Sequence, residues 1–184
     1  ADIVSGSGHI TVLAGQDITF KTDADLTSAG TGTLDIEATA GAITLSTTSN
    51  QTTGSGDIRF WANSNISLGG KAGTTGDISA TANTGWIRDV DTDNSVDIES
   101  TGLRLSAALG VGQLGTANAI ETTVTTVSAA SGSEGINLLE SDDLVIGDTT
   151  VTVKRVAADA TTSDTIDAAQ SDLVTSADGA IVVR

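Results

Sequence analysis

The sequence predicts an all-β fold, a parallel β-helix or β-solenoid, on three observations. Short segments in which apolar and polar residues alternate recur along the chain, which is typical of half-buried strands. Turns rich in glycine separate them, and 21 of the 184 residues are glycine. The segments return in pairs with a period of about 22 residues, a normal length for one coil of a β-helix. We therefore expect a thin core of stacked strands.

The clearest pair of segments lies between Gly8 and Phe20. Ile10 and Val12 point to one side of the first strand, and Ile18 and Phe20 repeat this pattern after a small turn. Strands this short do not form a stable hairpin domain, but each is stable when it pairs with the strand one coil away. First strands are predicted around Ile10, Ile36, Ile58, Ile78 and Ile98, and second strands around Ile18, Ile43, Ile66, Ile87 and Leu105.

The period is regular over residues 1–110 and less regular over residues 111–184. The second region has longer alternating runs, of which residues 150–156 are the most strand-like. We predict a continued solenoid with larger excursions, and a small appended β-sandwich is the alternative. A short helix is a further alternative for residues 164–173, where apolar residues recur at helical spacing.

The two ends of the sequence are similar, because residues 176–184 resemble residues 5–12. Solenoids normally end in atypical polar coils that cover the exposed strand edge, and neither end has one. We therefore expect each end to stack on another unit, either a copy of this chain or an adjacent repeat. The predicted assembly residues are Ile10, Val12, Ile18, Phe20, Ile181 and Val183.

The charge of the chain is strongly negative, with 24 Asp and Glu against 8 Lys and Arg and a formal net charge of −16. Nucleic-acid binding is excluded, because contacts to phosphates need clustered Lys and Arg. The charge also disfavours anionic membrane surfaces. No apolar run approaches 18 residues, so we expect no insertion into a membrane.

The most acidic segment, residues 89–97, is a candidate Ca²⁺ site, because carboxylates at alternate positions open many Ca²⁺-binding loops. The match to an EF-hand then fails, since Asn94 replaces the turn glycine and Ser100 the bidentate Glu. An acidic coil corner without metal is the alternative, and no other cofactor is expected. Zinc is not expected, because His9 is the single histidine and the chain has no cysteine. The candidate Ca²⁺ ligands are Asp89, Asp91, Asp93 and Asp97.

Aromatic residues are few, and two of them are adjacent at Phe60 and Trp61. Neighbours in a strand face opposite sides, so one is predicted in the core and the other outside. Trp61 on the outside is a candidate contact for a surface glycan or a neighbouring subunit.

A catalytic site is not predicted. A β-helix enzyme acting on carbohydrate needs paired carboxylates or a basic residue on one exposed face. Arg59, Arg88 and Arg104 have comparable coil positions and could line one face with Asp57 and Asp89. Alternating surface charge accounts for the same pattern.

Recurring Gly-Asp-Ile phrases, at residues 56–58 and 76–78, resemble the filamentous-haemagglutinin-type repeats of large bacterial adhesins. Residues 115–121, 155–159 and 168–173 resemble long repeats of giant, surface-associated bacterial proteins. The resemblance implies a right-handed β-helix, secretion, and a role in adhesion or filament building. It brings no catalytic residues with it.

Together these observations predict a structural or adhesive solenoid module of a large secreted bacterial surface protein. We expect it to stack end to end into an extracellular filament or tandem array. Two alternatives stay open: a Ca²⁺-dependent adhesin domain with a β-sandwich fold, and a carbohydrate-active enzyme built on the solenoid.

Overall fold

A computed structural model describes residues 1–91, 93–115 and 118–184. Within these residues every regular element is a strand, so the all-β prediction is confirmed. No helix in this part of the chain is long and apolar enough to cross a membrane. In chain order the strands are β1 (Ile3–Ser5), β2 (Ile10–Ala14), β3 (Ile18–Phe20), β4 (Leu26–Ser28), β5 (Leu34–Ala38), β6 (Ile43–Leu45), β7 (Gln51–Thr53), β8 (Ile58–Ala62), β9 (Ile66–Leu68), β10 (Ala72–Gly73), β11 (Asp77–Ala82), β12 (Ile87–Asp89), β13 (Ile98–Ala107), β14 (Gly110–Val111), β15 (Ile120–Ser131), β16 (Gly135–Glu140), β17 (Val145–Ile146), β18 (Thr149–Val156), β19 (Thr162–Gln170), β20 (Leu173–Thr175) and β21 (Ile181–Val183).

The strands wind into a parallel β-solenoid, which confirms the predicted architecture. The described residues form one 19-stranded sheet and the separate pair β18–β19, so they do not form a β-sandwich. A coil has three strands, and each pairs in parallel with its equivalent in the next coil. Face A contains β1, β4, β7, β10 and the first parts of β13 and β15. Face B contains β2, β5, β8, β11 and the remainder of β13 and β15. Face C contains β3, β6, β9, β12, β14 and the start of β16.

The sequence predicts two strands in each coil, whereas the structure has three. The strand that the sequence does not predict is the one on face A. The strands of face A are short, and one of their inward positions is taken by the polar Gln51. The fifth predicted pair is wrong for this reason. Ile98 lies on face A next to Ala72, and Leu105 lies on face B next to Ala80. Equivalent face-B positions are 20 to 25 residues apart, at Ile10, Leu34, Ile58, Ile78 and Leu103.

The core is a single layer of inward side chains enclosed by the three faces. On face B, Phe60 is 1% exposed and stacks directly on Ala80, so a large residue is followed by a small one at the same position. Each fully buried Ile or Leu contributes about 1.5–3 kcal/mol, so the ladders stabilise each coil through its neighbours. The face-C ladder consists of Ile18, Ile43, Ile66, Ile87, Val111, Ile136 and Ile181.

The corner between faces A and B brings the backbones of neighbouring coils into close contact. A Cβ atom on Gly56 would lie 2.0 Å from the carbonyl oxygen of Gly32. Any side chain there would push the two coils apart, because a backbone oxygen cannot move away as a flexible side chain can. This corner therefore requires glycine for space rather than for an unusual φ angle.

An inserted hairpin interrupts the last strand of face B. Val127 and Ala129 in β15 pair with Ile146 in β17 and Leu173 in β20. On β15 a single residue therefore separates the part that pairs with β17 from the part that pairs with β20. Residues 147–172 are inserted into the solenoid at that point. The insertion contains β18 and β19, which pair in antiparallel fashion. Strand β19 covers most of the segment for which a helix is the alternative, and that alternative is wrong.

We call β18, β19 and their connection the hairpin. It leaves the solenoid at the last coil and folds back along face B, outside the core. Strand β18 contacts β15, β13, β11, β8, β5 and β2 in turn, so it crosses face B from the far end to the first coil. The inner side chains of this strand, Val151 and Val153, are fully buried.

Candidate functional site

Backbone N–H groups of β18 are held by side chains from three successive coils. The free edge of a strand needs hydrogen-bond acceptors, which another strand usually provides. Here outward oxygen atoms of face B and its corner provide them. The N–H of Thr152 donates to Oδ2 of Asp57 at 3.1 Å, that of Lys154 to Oγ1 of Thr33 at 2.9 Å, and that of Val156 to Oγ1 of Thr11 at 2.8 Å.

Five charged side chains meet between the hairpin and face B: Asp35, Glu37, Arg59, Arg155 and Asp167. Nη1 of Arg59 lies 2.9 Å from both Oδ1 of Asp35 and Oε2 of Glu37. Its Nε lies 3.1 Å from Oδ1 of Asp167, whose other oxygen accepts a hydrogen bond from a serine of face B. Arg155 binds Oδ2 of Asp35 through Nε at 2.6 Å, and it also contacts Glu37. The hairpin is thus joined to the solenoid by a continuous ion-pair network.

The ion pairs favour the charged forms of Glu37 and Arg59. Burial raises the pKa of Glu37, but hydrogen bonds from Arg155 and Arg59 outweigh burial and hold that pKa below its usual value. Burial likewise lowers the pKa of Arg59, and its carboxylate partners raise the pKa above its usual value. Both guanidinium groups are therefore committed to structural ion pairs.

The structure brings only two of the three predicted arginines to one face. Arg59 and Arg104 lie in the same outward row of face B, with one serine between them. Arg59 is covered by the hairpin, and Nε of Arg104 donates to the carbonyl oxygen of Ala168 at 3.0 Å. Arg88 lies on face C, where its guanidinium stacks 5.7 Å from the ring of Trp86. The arginines therefore do not line a common open face.

A second cluster contains only carboxylates: Asp89, Asp97 and Glu121. Asp89 ends β12, Asp97 immediately precedes β13, and Glu121 lies in β15, one coil further on. One oxygen atom from each lies within 4.8 Å of the others, and each residue is 4% exposed. The backbone N–H of Glu121 donates to Oδ2 of Asp97 at 3.1 Å. Three buried carboxyl oxygens at this separation are a donor set suited to Ca²⁺.

Protons can stabilise this cluster in place of a cation. Burial, together with the charges of Asp89 and Glu121, raises the pKa of Asp97 to about 9, against the lowering effect of the backbone bond. Burial and the nearby Asp89 also raise the pKa of Glu121. Without a cation the Asp97 carboxyl is therefore protonated at neutral pH, and a divalent cation would have to displace its proton.

The predicted Ca²⁺ ligands are divided by the structure. Asp89 and Asp97 lie in the cluster, whereas Asp91 and Asp93 lie in the loop between them, which contains Thr92 outside the described residues. Oδ1 of Asp91 accepts the N–H of Asp93, and Oδ1 of Asp93 accepts the N–H of Ser95. These carboxylates organise the turn of the loop itself.

Sequence reasoning missed Glu121. It lies 24 residues beyond Asp97, which is one coil, and so the period of the solenoid was a signal that could have found it. The signal is visible only when face A is known, because Asp97 and Glu121 each precede the face-A position of their coil.

Trp61 and His9 are both partly buried. Trp61 points outward on face B between Glu37 and Thr81, while Phe60 points into the core. Its role as a contact for a glycan or subunit stays a prediction. Nδ1 of His9 accepts the backbone N–H of Thr33 at 3.1 Å, so this ring joins the first coil to the second.

The first and last coils each present an edge that no other strand of the described residues covers. Strands β1, β2 and β3 pair on one side only, with the second coil. Strands β17, β20 and β21 pair only with β15 and β16. The predicted assembly residues all lie in these edge coils: Ile10 and Val12 are partly exposed, Ile18 is 8% exposed, Phe20 9%, Ile181 43% and Val183 37%.

Comparison with protein-family models, with curated proteins and with solved structures found no match for this chain.

Proposed function

We propose that this chain is a structural β-solenoid unit of a large secreted bacterial surface protein, with an adhesive or filament-building role. Units stack end to end, so that the strands of one first coil pair with the strands of another unit's last coil. The stacked units form a column whose faces A, B and C continue from one unit to the next.

The pair of open edges carries this proposal. Unpaired N–H and C=O groups of an edge strand are a template for another strand. Here both edges belong to the same solenoid: face B ends at β17 and β20, face C at β21, and face A at the last residues of β16. The face-C ladder begins at Ile18 and ends at Ile181, and the exposure of Ile181 rises to 43% because no next coil covers it. A stacked unit would continue this ladder and bury the exposed apolar surface.

The location and the biological role rest on sequence. The Gly-Asp-Ile phrases at residues 56–58 and 76–78, which lie at the corner leading into face B, resemble adhesin repeats. This supports secretion and an extracellular position. The net charge of −16 opposes association of identical units, so stacking is expected to strengthen with ionic strength.

The experiment compares the assembly of three purified chains over a range of concentrations in about 0.5 M NaCl, where surface charges are screened. Light scattering after size exclusion gives the mass, and negative-stain electron microscopy gives the shape. Ile181→Lys places a charge at the end of the face-C ladder. Thr44→Lys adds the same charge at an outward position of face C in an inner coil, and is the matched control.

We expect the unmodified chain and Thr44→Lys to form columns one solenoid wide, and Ile181→Lys to stay monomeric. A monomeric unmodified chain at all concentrations would overturn the stacking. Equal loss of assembly in both lysine variants would also overturn it, because added charge rather than the edge would then explain the loss.

A further inference from the structure

We propose that the turn of the hairpin, residues 157–161, is a clasp that contacts the last coil of the neighbouring unit. The partner is a second copy of this solenoid, placed against the first coil. This inference rests on the end-to-end stacking proposed above, and it assigns a role to the inserted hairpin.

The direction of β18 leads the turn toward the neighbour. Its contacts descend one coil at a time, with Thr152 on the third coil, Lys154 on the second and Val156 on the first. Each residue of a strand advances about 3.3 Å, and coils are about 4.8 Å apart. The chain that follows Val156 therefore extends past the first coil, and every residue from 157 to 164 is exposed.

The turn would be received by Val174 of the neighbouring unit. This apolar residue ends a row of outward side chains that are partly polar and partly apolar. Leu13, Glu37, Trp61, Thr81, Ser106, Ala130 and Val174 occupy one outward row along face B. The row begins at Leu13, which is 52% exposed, and ends at Val174, which is 49% exposed. Stacking would place Leu13 of one unit on Val174 of the next, so this apolar pair would lie at the junction.

The hairpin reaches the junction beside this row. Near its base, Nε2 of Gln170 in β19 donates to the carbonyl oxygen of Leu105, while Arg155 near its other end contacts Glu37, a member of the row. The turn beyond is therefore carried toward Val174 of the neighbour. Three of its five residues are alanine, which can pack closely on a valine and exclude water from the junction.

Charge makes this contact sensitive to salt. Asp159 in the turn would approach Asp172, which precedes Leu173 at the base of the neighbour's hairpin. Two like charges at a junction repel unless they are screened. The clasp is therefore expected to close at high ionic strength and to open at low ionic strength.

Within one chain the turn and Val174 cannot meet. They lie at opposite ends of the solenoid, separated by about six coil spacings or roughly 29 Å. A disulfide requires Cα atoms within about 7 Å. Because the chain has no cysteine, a cross-link between engineered cysteines at these positions reports only contact between different molecules.

The experiment mixes two single-cysteine chains, one of them tagged, and oxidises them in about 0.5 M NaCl. Ala158→Cys or Thr162→Cys tests the turn against Val174→Cys, and Leu13→Cys against Val174→Cys tests the stack itself. Thr27→Cys on face A against Val174→Cys is the control for random collision.

We expect the Leu13 and Val174 pair to form mixed dimers, and at least one turn variant to do so with Val174, at least ten times faster than the face-A control. If the Leu13 pair cross-links and neither turn variant does, the clasp is overturned while stacking is retained. If no pair exceeds the control, both are overturned. A turn variant that cross-links without the Leu13 pair would also overturn both, because the units would then meet in another arrangement.

Discussion

Nε of Arg155 lies 2.6 Å from Oδ2 of Asp35, across 120 residues of sequence. In a solenoid each coil normally contacts only its neighbours, so stability is close to a sum of local terms. This ion pair instead joins a hairpin that leaves the last coil to the second coil. The two ends of the solenoid are thereby coupled.

Arg155→Ala is expected to lower the free energy of unfolding by about 2 kcal/mol, because it removes one of the two cations that balance buried carboxylates. Arg59 remains to pair with Asp35, which limits the loss. Urea denaturation measures the change. Lys154→Ala is the matched control on the same strand. Its pair with Asp164 is nearly half exposed, so a loss below about 1 kcal/mol is expected. Equal losses would contradict the role given to the network.

Replacing residues 147–172 with one serine is expected to leave a folded solenoid, because β17 and β20 already lie one ladder position apart. The first coil should then fray, since it loses its contacts with β18. Hydrogen exchange should show that amide protection in β2 falls relative to the unmodified chain, while protection in the central β11 does not. Loss of all β-structure in the circular dichroism spectrum would contradict the description of the hairpin as an insertion into a complete coil.

Gly56→Ala is expected to lower the free energy of unfolding by about 2–3 kcal/mol, because the new Cβ would lie 2.0 Å from the carbonyl oxygen of Gly32. Gly15→Ala is the control, since a Cβ there meets no atom within 4 Å, and its effect should stay within about 0.5 kcal/mol. Thermal denaturation of both variants checks the difference. Similar stability of the two would show that the coils can separate at this corner at little cost.

Asp97→Asn is expected to flatten the dependence of stability on pH. The pKa of Asp97 is about 9 in the folded chain, above the ordinary 3.8 of the unfolded chain. The folded state therefore holds a proton that the unfolded state releases, and stability falls as pH rises from about 4 to about 9. The amide of the Asp97→Asn variant does not titrate in this range. The variant should therefore lose less stability as the pH rises.

The measurement for Asp97→Asn is the midpoint of urea unfolding between pH 5 and pH 9. Asp178→Asn, at an exposed position, controls for the change in net charge. Part of the slope will remain, because the pKa of Glu121 is also raised. If Ca²⁺ stabilises the unmodified chain but not Asp97→Asn, a cation rather than a proton occupies the cluster under those conditions.

Local alternation in the sequence was sufficient to predict most strands of faces B and C. A strand with period two is determined by its own residues, which is why Phe60 could be placed in the core and Trp61 outside. The repeat length was also readable, since stacked coils require equivalent inward residues at similar intervals. Face A was not readable, because a strand of two or three residues contains too little alternation to stand out.

The sequence by itself determined an all-β chain of parallel coils with an aliphatic ladder, because burial of alternating side chains depends on neighbours a few residues apart. Only the tertiary structure decided that Glu121 joins Asp89 and Asp97, and that residues 147–172 fold back over face B. These outcomes depend on contacts such as that between Val156 and Thr11, which are 145 residues apart. Contacts at that separation leave no local pattern, since they form only when the coils have stacked and brought both partners to one surface.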